Sequence, residues 1–480
     1  MLSPARTPGR GAWWPVTAAL LAGAFTAILT SGVRAAVPSD PHEAKAREIL
    51  ERVIAFKTEE GMGQVPPMAE YLGSELRAAG IPEADIHIFP LGETASFVAR
   101  YRGDGSGGRP IVLMAHMDVV TARPEDWERD PFKLVEENGY FYGRGTVDIK
   151  NGVTSIVATL LRLKAEKFVP TRDLIVVFTG DEETYQKTAE DLVKNHKDFV
   201  DAEYALNSDG GGGRLDDKTG APISYALQTA EKAYADLELT THNPGGHSSQ
   251  PRQDNAIYDL ADVLKRIQAY QFPVMYNDTT IGYFKVMAGQ EAGPLADALR
   301  RFAEHPGDAA AAETLSQYYS YVGMTRTTCV GTMLRGGHAP NALPQSATVN
   351  VNCRIFPGVP IQTISDTLQK VAGDKATIAT MGNPISSPPS PLRKDIVDAV
   401  TRAVHERHPG IPIIPTQSSG ASDAIWFNPA GIPTYGVGET FIRDSDDFAH
   451  GLNERIPVKS FYDGLEFWHS LVTQLAGRAH

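Results

Sequence analysis

Residues 111–118 read IVLMAHMD, an apolar run that ends in a histidine and an aspartate two positions apart. Side chains two positions apart along a strand project to the same face, so His116 and Asp118 would lie side by side where a buried strand ends. Two further apolar runs, LIVVFTGDEE (174–183) and EYALNSDGG (203–211), also end in carboxylates. The pattern predicts three buried strands with acidic side chains at their ends.

Helical patterns separate these runs, notably GVTSIVATLLRLKAEK at 152–167. Continuous apolar strands that alternate with helices indicate an α/β fold, with a mostly parallel sheet covered by helices on both faces. Ligands in such folds bind beyond the carboxyl ends of the strands. The acidic and imidazole side chains expected at that edge are His116, Asp118, Glu182, Glu183 and Asp209, joined by Asp148 from the loop GRGTVDIKNG.

Composition limits the classes of function. The chain has 480 residues, of which 42% are hydrophobic, and single cores stop growing at roughly 250–300 residues, so two domains are expected. The formal net charge of −13 argues against a nucleic-acid partner. Only two cysteines occur, Cys329 and Cys353, so a bound metal would need His, Asp and Glu as ligands.

Carboxylates that crowd one sheet edge repel each other unless a cation or a proton compensates them. Each short motif alone is also typical of a solvated loop. The combination favours a metal site, because imidazole and carboxylate groups recur at strand ends that should converge. Zinc accepts both kinds of ligand, and two ions about 3.5–4 Å apart form the hydrolytic centre of aminopeptidases.

The N-terminal segment resembles a targeting signal. Basic residues precede the apolar run 13–33, and a small-residue cleavage site ends at Ala35, which predicts a secretory signal peptide over 1–35. An uncleaved membrane anchor is the alternative, because the run is near the length of a membrane span. Either reading predicts export, to the periplasm or to the medium.

The chain resembles the zinc aminoacylase/carboxypeptidase family, which includes glutamate carboxypeptidase, acetylornithine deacetylase, succinyl-diaminopimelate desuccinylase and Gly-Xaa carboxypeptidase. The resemblance spans roughly 45–475 and follows the family's motif order. Its motifs here are HMDVV, WERDPF, YGRGTVDIKNG, TGDEE, NSDGG, GGHSSQP, GGHAPNALPQ, NVNCRIFPG and FAHGLNE. HMDVV, the tryptophan of WERDPF, and YGRGT make it most similar to the Gly-Xaa carboxypeptidase branch.

The resemblance implies two zinc ions per subunit, with Co²⁺, Mn²⁺ or another divalent ion as alternatives. The implied ligands are His116 and Asp209 for one ion, His450 and Glu183 for the other, and Asp148 as the bridge. Glu182 would be the general base that activates a metal-bridging water, and Asp118 would orient His116. Family members often have a cis peptide bond after the residue that matches Asp118.

Four further residues match substrate-contacting positions of the family. His247 would stabilise the tetrahedral oxyanion, often from a partner subunit, although it could instead cap the helix expected near 254. Arg354 and Asn341 would hold the substrate, and a surface salt bridge is the alternative for Arg354. Gly420 lies where the family presents backbone to substrate.

The expected domains are a catalytic domain in two parts, 36–229 and 385–480, and an inserted lid at 230–384. The β-α-β-β-α order of the lid resembles a ferredoxin-like α+β layer, which the family uses for homodimerisation. An insertion at 283–325 interrupts it. If the strands on either side of residue 341 pair as a hairpin, Cys329 falls opposite Cys353, and a disulfide and two free thiols both remain open.

These observations predict an exported dizinc metallopeptidase that hydrolyses dipeptides or short peptides as a carboxypeptidase or dipeptidase. An N-acyl-amino-acid deacylase with the same metal chemistry is the first alternative. A binding protein without turnover is a second, although the ligand and base positions are all present. A magnesium or manganese hydrolase is a third, because such ligands do not select zinc uniquely.

Overall fold

Three of the apolar runs form the centre of the larger sheet. The structure is a computed structural model that describes residues 40–478, so the predicted signal peptide at 1–35 lies outside the described residues. The strands, numbered in chain order, are β1 (Ile86–Leu91), β2 (Thr94–Tyr101), β3 (Ile111–His116), β4 (Val135–Glu137), β5 (Tyr140–Tyr142), β6 (Leu174–Thr179), β7 (Tyr204–Asn207), β8 (Gly212–Leu215), β9 (Pro222–Glu231), β10 (Ala233–His242), β11 (Gly246–His247), β12 (Thr328–Gly336), β13 (Ala342–Leu343), β14 (Ser346–Ile355), β15 (Ala376–Thr380), β16 (Ile413–Ser418), β17 (Thr434–Gly436), β18 (Phe441–Arg443) and β19 (Arg455–Pro457).

The helices alternate with these strands along most of the chain. They are α1 (Pro41–Ala55), α2 (Val65–Ala78), α3 (Lys150–Ala165), α4 (Lys187–Asn195), α5 (Lys197–Val200), α6 (Ala256–Ala269), α7 (Asp278–Met287), α8 (Gly293–Glu304), α9 (Ala309–Ser316), α10 (Tyr319–Val322), α11 (Ile361–Ala372), α12 (Lys394–His405), α13 (Ala424–Phe427) and α14 (Val458–Ala476). Within residues 40–478, no helix has the length and apolar character that crossing a bilayer requires.

The larger sheet has ten strands, in the order β1-β2-β6-β3-β7-β17-β9-β8-β18, with β16 paired to β9. Its centre is parallel, because β3 pairs in parallel with β6 and β7, and β17 pairs in parallel with β7. All residues of β3, β6 and β7 are buried. This explains their continuous apolar sequence, since a parallel strand is covered on both faces.

Successive residues of β3 enter two different cores. Leu113 packs in the core that includes side chains of α1, α2, α3 and α14. Met114 packs in the core on the opposite face, which includes side chains of α4 and α13. Helices therefore cover both faces, and the predicted fold class is confirmed.

A second sheet has its own core. It has the order β12-β14-β10-β15, and all its pairings are antiparallel. Residues of α6 and α11 share its core, so it has the predicted ferredoxin-like layout. The sequence did not predict β15. The domain boundaries themselves stay predictions.

Two features of the second sheet were open or undescribed in the sequence. Cys329 and Cys353 are directly opposite in the β12/β14 register and form a disulfide, so the two-thiol alternative is wrong. The predicted insertion at 283–325 folds into helices: α8 to α10 lie within it, and α7 begins before it. A separate apolar cluster that includes Phe284 and Phe302 holds these helices together.

Candidate metal centre

The side chains predicted at the strand ends meet at one edge of the larger sheet. His116 is the last residue of β3, and the register places it beside Thr179, the last residue of β6. Glu182 and Glu183 lie three and four residues after the end of β6, and Asp209 lies two residues after the end of β7. Because β3, β6 and β7 are parallel neighbours, their carboxyl ends open on the same side.

Asp148 lies between the two candidate histidine ligands. Its Oδ1 is 3.1 Å from His116 Nε2, and its Oδ2 is 3.0 Å from His450 Nε2. His450 Nε2 is also 3.0 Å from Glu183 Oε1. A carboxylate with one oxygen towards each imidazole is the arrangement that a bridging ligand needs.

Two groups of possible ligand atoms lie within 4.8 Å of one another: His116 with Asp148 and Glu183, and His116 with Glu182 and Asp209. The donors are imidazole nitrogens and carboxylate oxygens, which fit Zn²⁺ and also Mn²⁺ or Co²⁺. The structure therefore brings together all five predicted ligands and the predicted base. It places Glu182 close enough to His116 and Asp209 to count among the possible ligands.

Burial, together with neighbouring charges, shifts the pKa values of this cluster. Burial raises the pKa of Asp209 to about 7, and the Asp148 carboxylate adds to the rise while His116 opposes it. Burial also raises the pKa of Glu182 well above its usual range, and Asp209 adds to that rise. Hydrogen bonds that His450 donates to the carboxylates of Asp148 and Glu183 raise the pKa of His450 to about 10. The raised pKa values of these three residues show that the cluster favours bound protons, and a bound cation would compensate the same negative charge.

Asp118 contacts both His116 and the acidic loop, which is the segment after β6 that carries Glu182 and Glu183. Its two carboxylate oxygens accept the backbone N–H groups of Glu182 and Glu183 at 3.1 and 3.0 Å. His116 Nδ1 lies 3.0 Å from the Asp118 backbone carbonyl and 3.5 Å from its carboxylate. The carboxylate therefore holds mainly the acidic loop, and the backbone carbonyl is the closer partner of the histidine. The cis peptide bond expected after Asp118 instead joins Asp148 and Ile149.

Comparison with known proteins agrees with this geometry. A sequence model of the peptidase family M20/M25/M40 matches residues 112–474. The chain belongs to this family. The predicted family resemblance is thus confirmed, and the protein is a metal-dependent peptidase or amidohydrolase.

The M20 chain also resembles individual proteins. It is 29% identical over 388 residues to the N-fatty-acyl-amino acid synthase/hydrolase PM20D1 of Xenopus tropicalis, covering 78% of this chain and 74% of the relative. The M20 metallo-carboxypeptidase Sso-CP2 of Sulfolobus solfataricus superposes with a TM-score of 0.65 at 16% identity, covering 90% and 99% of the two chains. YXEP of Bacillus subtilis, described as a dinuclear metal-binding M20 peptidase, has a TM-score of 0.56 at 12% identity, with coverages of 90% and 97%.

The M20 chain has a cavity of about 510 Å³ beside the acidic loop. Glu182, Glu183, Tyr234 and Ala421 are among the residues that line it. The guanidinium of Arg354 lies 4.8 Å from the ring centroid of Tyr234, and its Nη1 donates to the carbonyl of Ser419, which precedes Gly420. Arg354 and Gly420 therefore lie near the rim of this cavity. These contacts replace the surface salt bridge that was the alternative for Arg354.

His247 and Asn341 lie together, away from the other predicted site residues. Residues 246–247 pair with 342–343 as a two-stranded sheet, and Ser248 donates its N–H to the Asn341 carbonyl at 3.0 Å. Both side chains are exposed, and neither residue lines the cavity beside Glu182. Asn255 caps α6, so the helix-cap alternative for His247 is wrong. Within residues 40–478 of this single chain, His247 belongs to neither group of candidate metal ligands.

Three buried charged residues near the centre were missed in the sequence. Thr179 donates its hydroxyl to Asp423, and burial raises the pKa of Asp423 to about 8. Nothing in its surrounding sequence singled it out. Arg144 and Glu454 form a buried ion pair between the Asp148 and His450 loops. Arg144 lies in the motif YGRGT and Glu454 in the motif FAHGLNE, but nothing in the two motifs indicates that these residues pair with each other.

Proposed function

We propose that this M20 protein is an exported dizinc exopeptidase that hydrolyses the amide bond next to a free carboxylate in dipeptides or short peptides. The observation that carries the proposal is the position of Asp148, with one carboxylate oxygen 3.1 Å from His116 and the other 3.0 Å from His450. His116 and Asp209 would hold one ion, and His450 and Glu183 the other. The description of YXEP as a dinuclear peptidase supports two metal positions.

Bound zinc would supply Lewis acidity and lower the pKa of water at the site. The side chain of Glu182 is placed to move the proton. Gln186 donates to Glu182 Oε1 at 2.9 Å, which fixes the carboxylate while its other oxygen stays available. Glu182 would take a proton from the attacking water and deliver it to the departing amide nitrogen. Asp118, through its bonds to the backbone of the acidic loop, would keep the base in position.

Arg354 supports a substrate with a free carboxylate. A guanidinium binds a carboxylate through two parallel N–H bonds, and Arg354 lies at the rim of the cavity beside the base. Gly420 would offer its backbone beside the same rim. The name of the structural relative Sso-CP2, a metallo-carboxypeptidase, agrees with this substrate class.

An N-acyl-amino-acid deacylase is the second candidate function. Its substrate also has an amide beside a free carboxylate, with an acyl chain in place of an aminoacyl group. The cavity lining contains the apolar residues Pro384, Ile385, Ile425 and Trp426, which favour an apolar acyl group. The relative PM20D1, named as an N-fatty-acyl-amino acid synthase/hydrolase, agrees with this alternative.

We further propose that the chain forms a homodimer through the lid. In this dimer, His247 and Asn341 of one copy would be brought to the metal centre of the other. The edge strand β12 supports this, because Val330, Met333 and Leu334 are 57%, 69% and 66% exposed. Export to the periplasm or the medium rests on the N-terminal sequence, and the disulfide between Cys329 and Cys353 is compatible with it.

A substrate panel tests the proposal. Zinc-loaded protein is assayed against dipeptides, C-terminally amidated dipeptides and N-acyl amino acids of increasing acyl length, and its metal content is measured. We expect two ions per chain, turnover only with a free carboxylate, and loss of turnover by at least about 100-fold in Glu182→Gln. Glu190→Gln makes the same change in α4, where Glu190 pairs with Lys187 and Lys194, and serves as control. Normal turnover by Glu182→Gln would show that the base is wrong, and preference for acyl substrates would select the second function.

A further inference from the structure

Glu454 is a buried carboxylate whose partners are backbone groups of a ligand loop. It is 0% exposed. Its Oε1 accepts the N–H groups of Val147 and Asp148 at 2.7 and 3.0 Å, and its Oε2 accepts the N–H of Gly145 at 3.0 Å. These three bonds, to N–H groups within residues 145–148, fix the backbone that carries the proposed bridging residue Asp148.

Arg144 compensates this charge and reaches the second ligand loop. It is 2% exposed, and its Nη1 donates to Glu454 Oε2 at 2.6 Å. Its Nη2 donates to the carbonyl of Gly451, the residue after His450, at 3.1 Å. The guanidinium also lies 5.1 Å from the ring centroid of Trp127, which shields it. One planar side chain therefore touches the loops of both Asp148 and His450.

The loop of His450 needs such support. His450 and Asn453 have φ values of +62° and +55°, a left-handed conformation that residues other than glycine rarely adopt. Such conformations persist where surrounding contacts determine them. Asn453 Oδ1 accepts the N–H of Glu128 at 3.1 Å, and Gly143 donates its N–H to the Glu454 carbonyl at 3.0 Å.

We propose that Arg144 and Glu454 are positioning residues that set the distance between Asp148 and His450, and thereby the affinity for the metal pair. This inference rests on the proposed dinuclear function. The pair touches neither substrate nor metal, and it acts through the backbone of two ligand loops. A buried ion pair is by itself weak evidence for stability. The direction of its remaining hydrogen bonds, towards the ligand loops, is what indicates positioning.

Arg144→Lys tests the proposal, because lysine keeps the charge but cannot span Glu454 and Gly451 with a planar fork. The matched control is Arg100→Lys. Arg100 also donates through Nη1 to a carboxylate, that of Asp173 at 2.9 Å, and through Nη2 to a carbonyl, that of Phe199 at 3.3 Å, but it contacts no ligand loop. Zn²⁺ affinity is measured by competition with a chelating dye, beside kcat, KM and the Tm of metal-free protein.

We expect Arg144→Lys to bind zinc about 10- to 100-fold more weakly than the wild type, the range typical of residues that orient metal ligands. The metal-free form of Arg144→Lys should stay folded at the assay temperature, and excess zinc should restore its kcat. Arg100→Lys should bind zinc like the wild type. Glu454→Gln is the second variant and should weaken zinc binding at least as much. Zinc affinity within twofold of the wild type, or failure of Arg144→Lys to fold, overturns the proposal.

The same measurements separate this inference from the proposed function. If wild-type protein binds two zinc ions and Arg144→Lys binds them equally well, only the positioning role falls. If the wild type itself binds fewer than two ions, the dinuclear function falls, and the positioning role falls with it.

Discussion

Replacing Asp118 with asparagine should slow catalysis even when excess zinc keeps the metal positions filled. The two Asp118 oxygens accept the N–H groups of Glu182 and Glu183 at 3.1 and 3.0 Å. Asparagine presents an NH₂ group to one of these donors, so one bond is lost and the other becomes a weaker neutral bond. A hydrogen bond to a charged group contributes about 1.5–3 kcal/mol. At 1.36 kcal/mol per factor of ten, this corresponds to roughly 10- to 100-fold in kcat.

The assay is steady-state kinetics on the best substrate of the panel, with metal content measured on the same preparation. We expect kcat to fall by that factor with KM nearly unchanged, because the base is displaced while the substrate contacts remain. Asp173→Asn is the control, since Asp173 accepts the N–H of Gly103 at 2.8 Å and pairs with Arg100, away from the site. A kcat for Asp118→Asn within twofold of both wild type and control would refute the positioning of the acidic loop by Asp118.

Four further outcomes are expected. Asp148→Ala should lose both metal ions, measured by elemental analysis, because its oxygens face both histidines; full metal content would contradict the bridge. Zinc binding near pH 7 should release at least one proton, because a pKa of about 10 keeps metal-free His450 protonated. The zinc affinity must therefore fall as the pH falls. Calorimetry in buffers of different ionisation enthalpy measures the released protons, and binding without proton release would contradict this. Replacing Cys329 and Cys353 by serine should lower the free energy of unfolding by about 3 kcal/mol in oxidised protein, because the bridge closes a loop of 24 residues; unchanged denaturant midpoints would contradict it. Arg354→Lys should raise KM about 10-fold for free-carboxylate substrates, because lysine cannot bind the carboxylate through two parallel N–H bonds; an unchanged KM would exclude the carboxylate contact.

The sequence predicted the ligand edge because two simple regularities combine there. Apolar runs identify buried parallel strands, and parallel strands bring their carboxyl ends to the same edge. His116, Glu183 and Asp209 could therefore be placed together without knowledge of the loops between them. His450 required the family resemblance, since it follows no long apolar run.

The contacts that hold these ligands could not be predicted in the same way. Glu454 and Arg144 are far apart in sequence, and charged residues of their type usually lie on the surface. Asp118 was predicted to orient His116, but its carboxylate bonds the acidic loop, a partner that depends on how the chain turns after β6. Hydrogen bonds from a side chain to backbone groups depend on the path of the chain, so the amino-acid sequence carries no pattern that predicts them.

The helices of the insertion at 283–325 were not predicted from the sequence. Alanine-rich residues near 309–312 gave no clear apolar stripe, so the segment was described only as an interruption. Its helices are short and depend on one another, since Phe284, Leu299 and Phe302 are fully buried in their shared cluster. In α8, Leu295, Leu299 and Phe302 do form an apolar stripe at helical spacing, so this helix could have been predicted, whereas the alanine-rich α9 has no such stripe.

The charge balance of the site explains why the residue that holds the Asp148 loop, Glu454, is paired with an arginine, whereas the carboxylates of the cluster are not. Without a cation, the cluster compensates its carboxylates with protons, as the raised pKa values of Asp209 and His450 indicate. Any further unpaired carboxylate would increase that repulsion and compete for the incoming metal. Glu454 avoids this because Arg144 neutralises it at 2.6 Å, so the pair orders the Asp148 loop without adding net charge. In the proposed dinuclear site, a neutral pair would therefore fix the geometry of the ligands, and the metal ions would supply the missing positive charge.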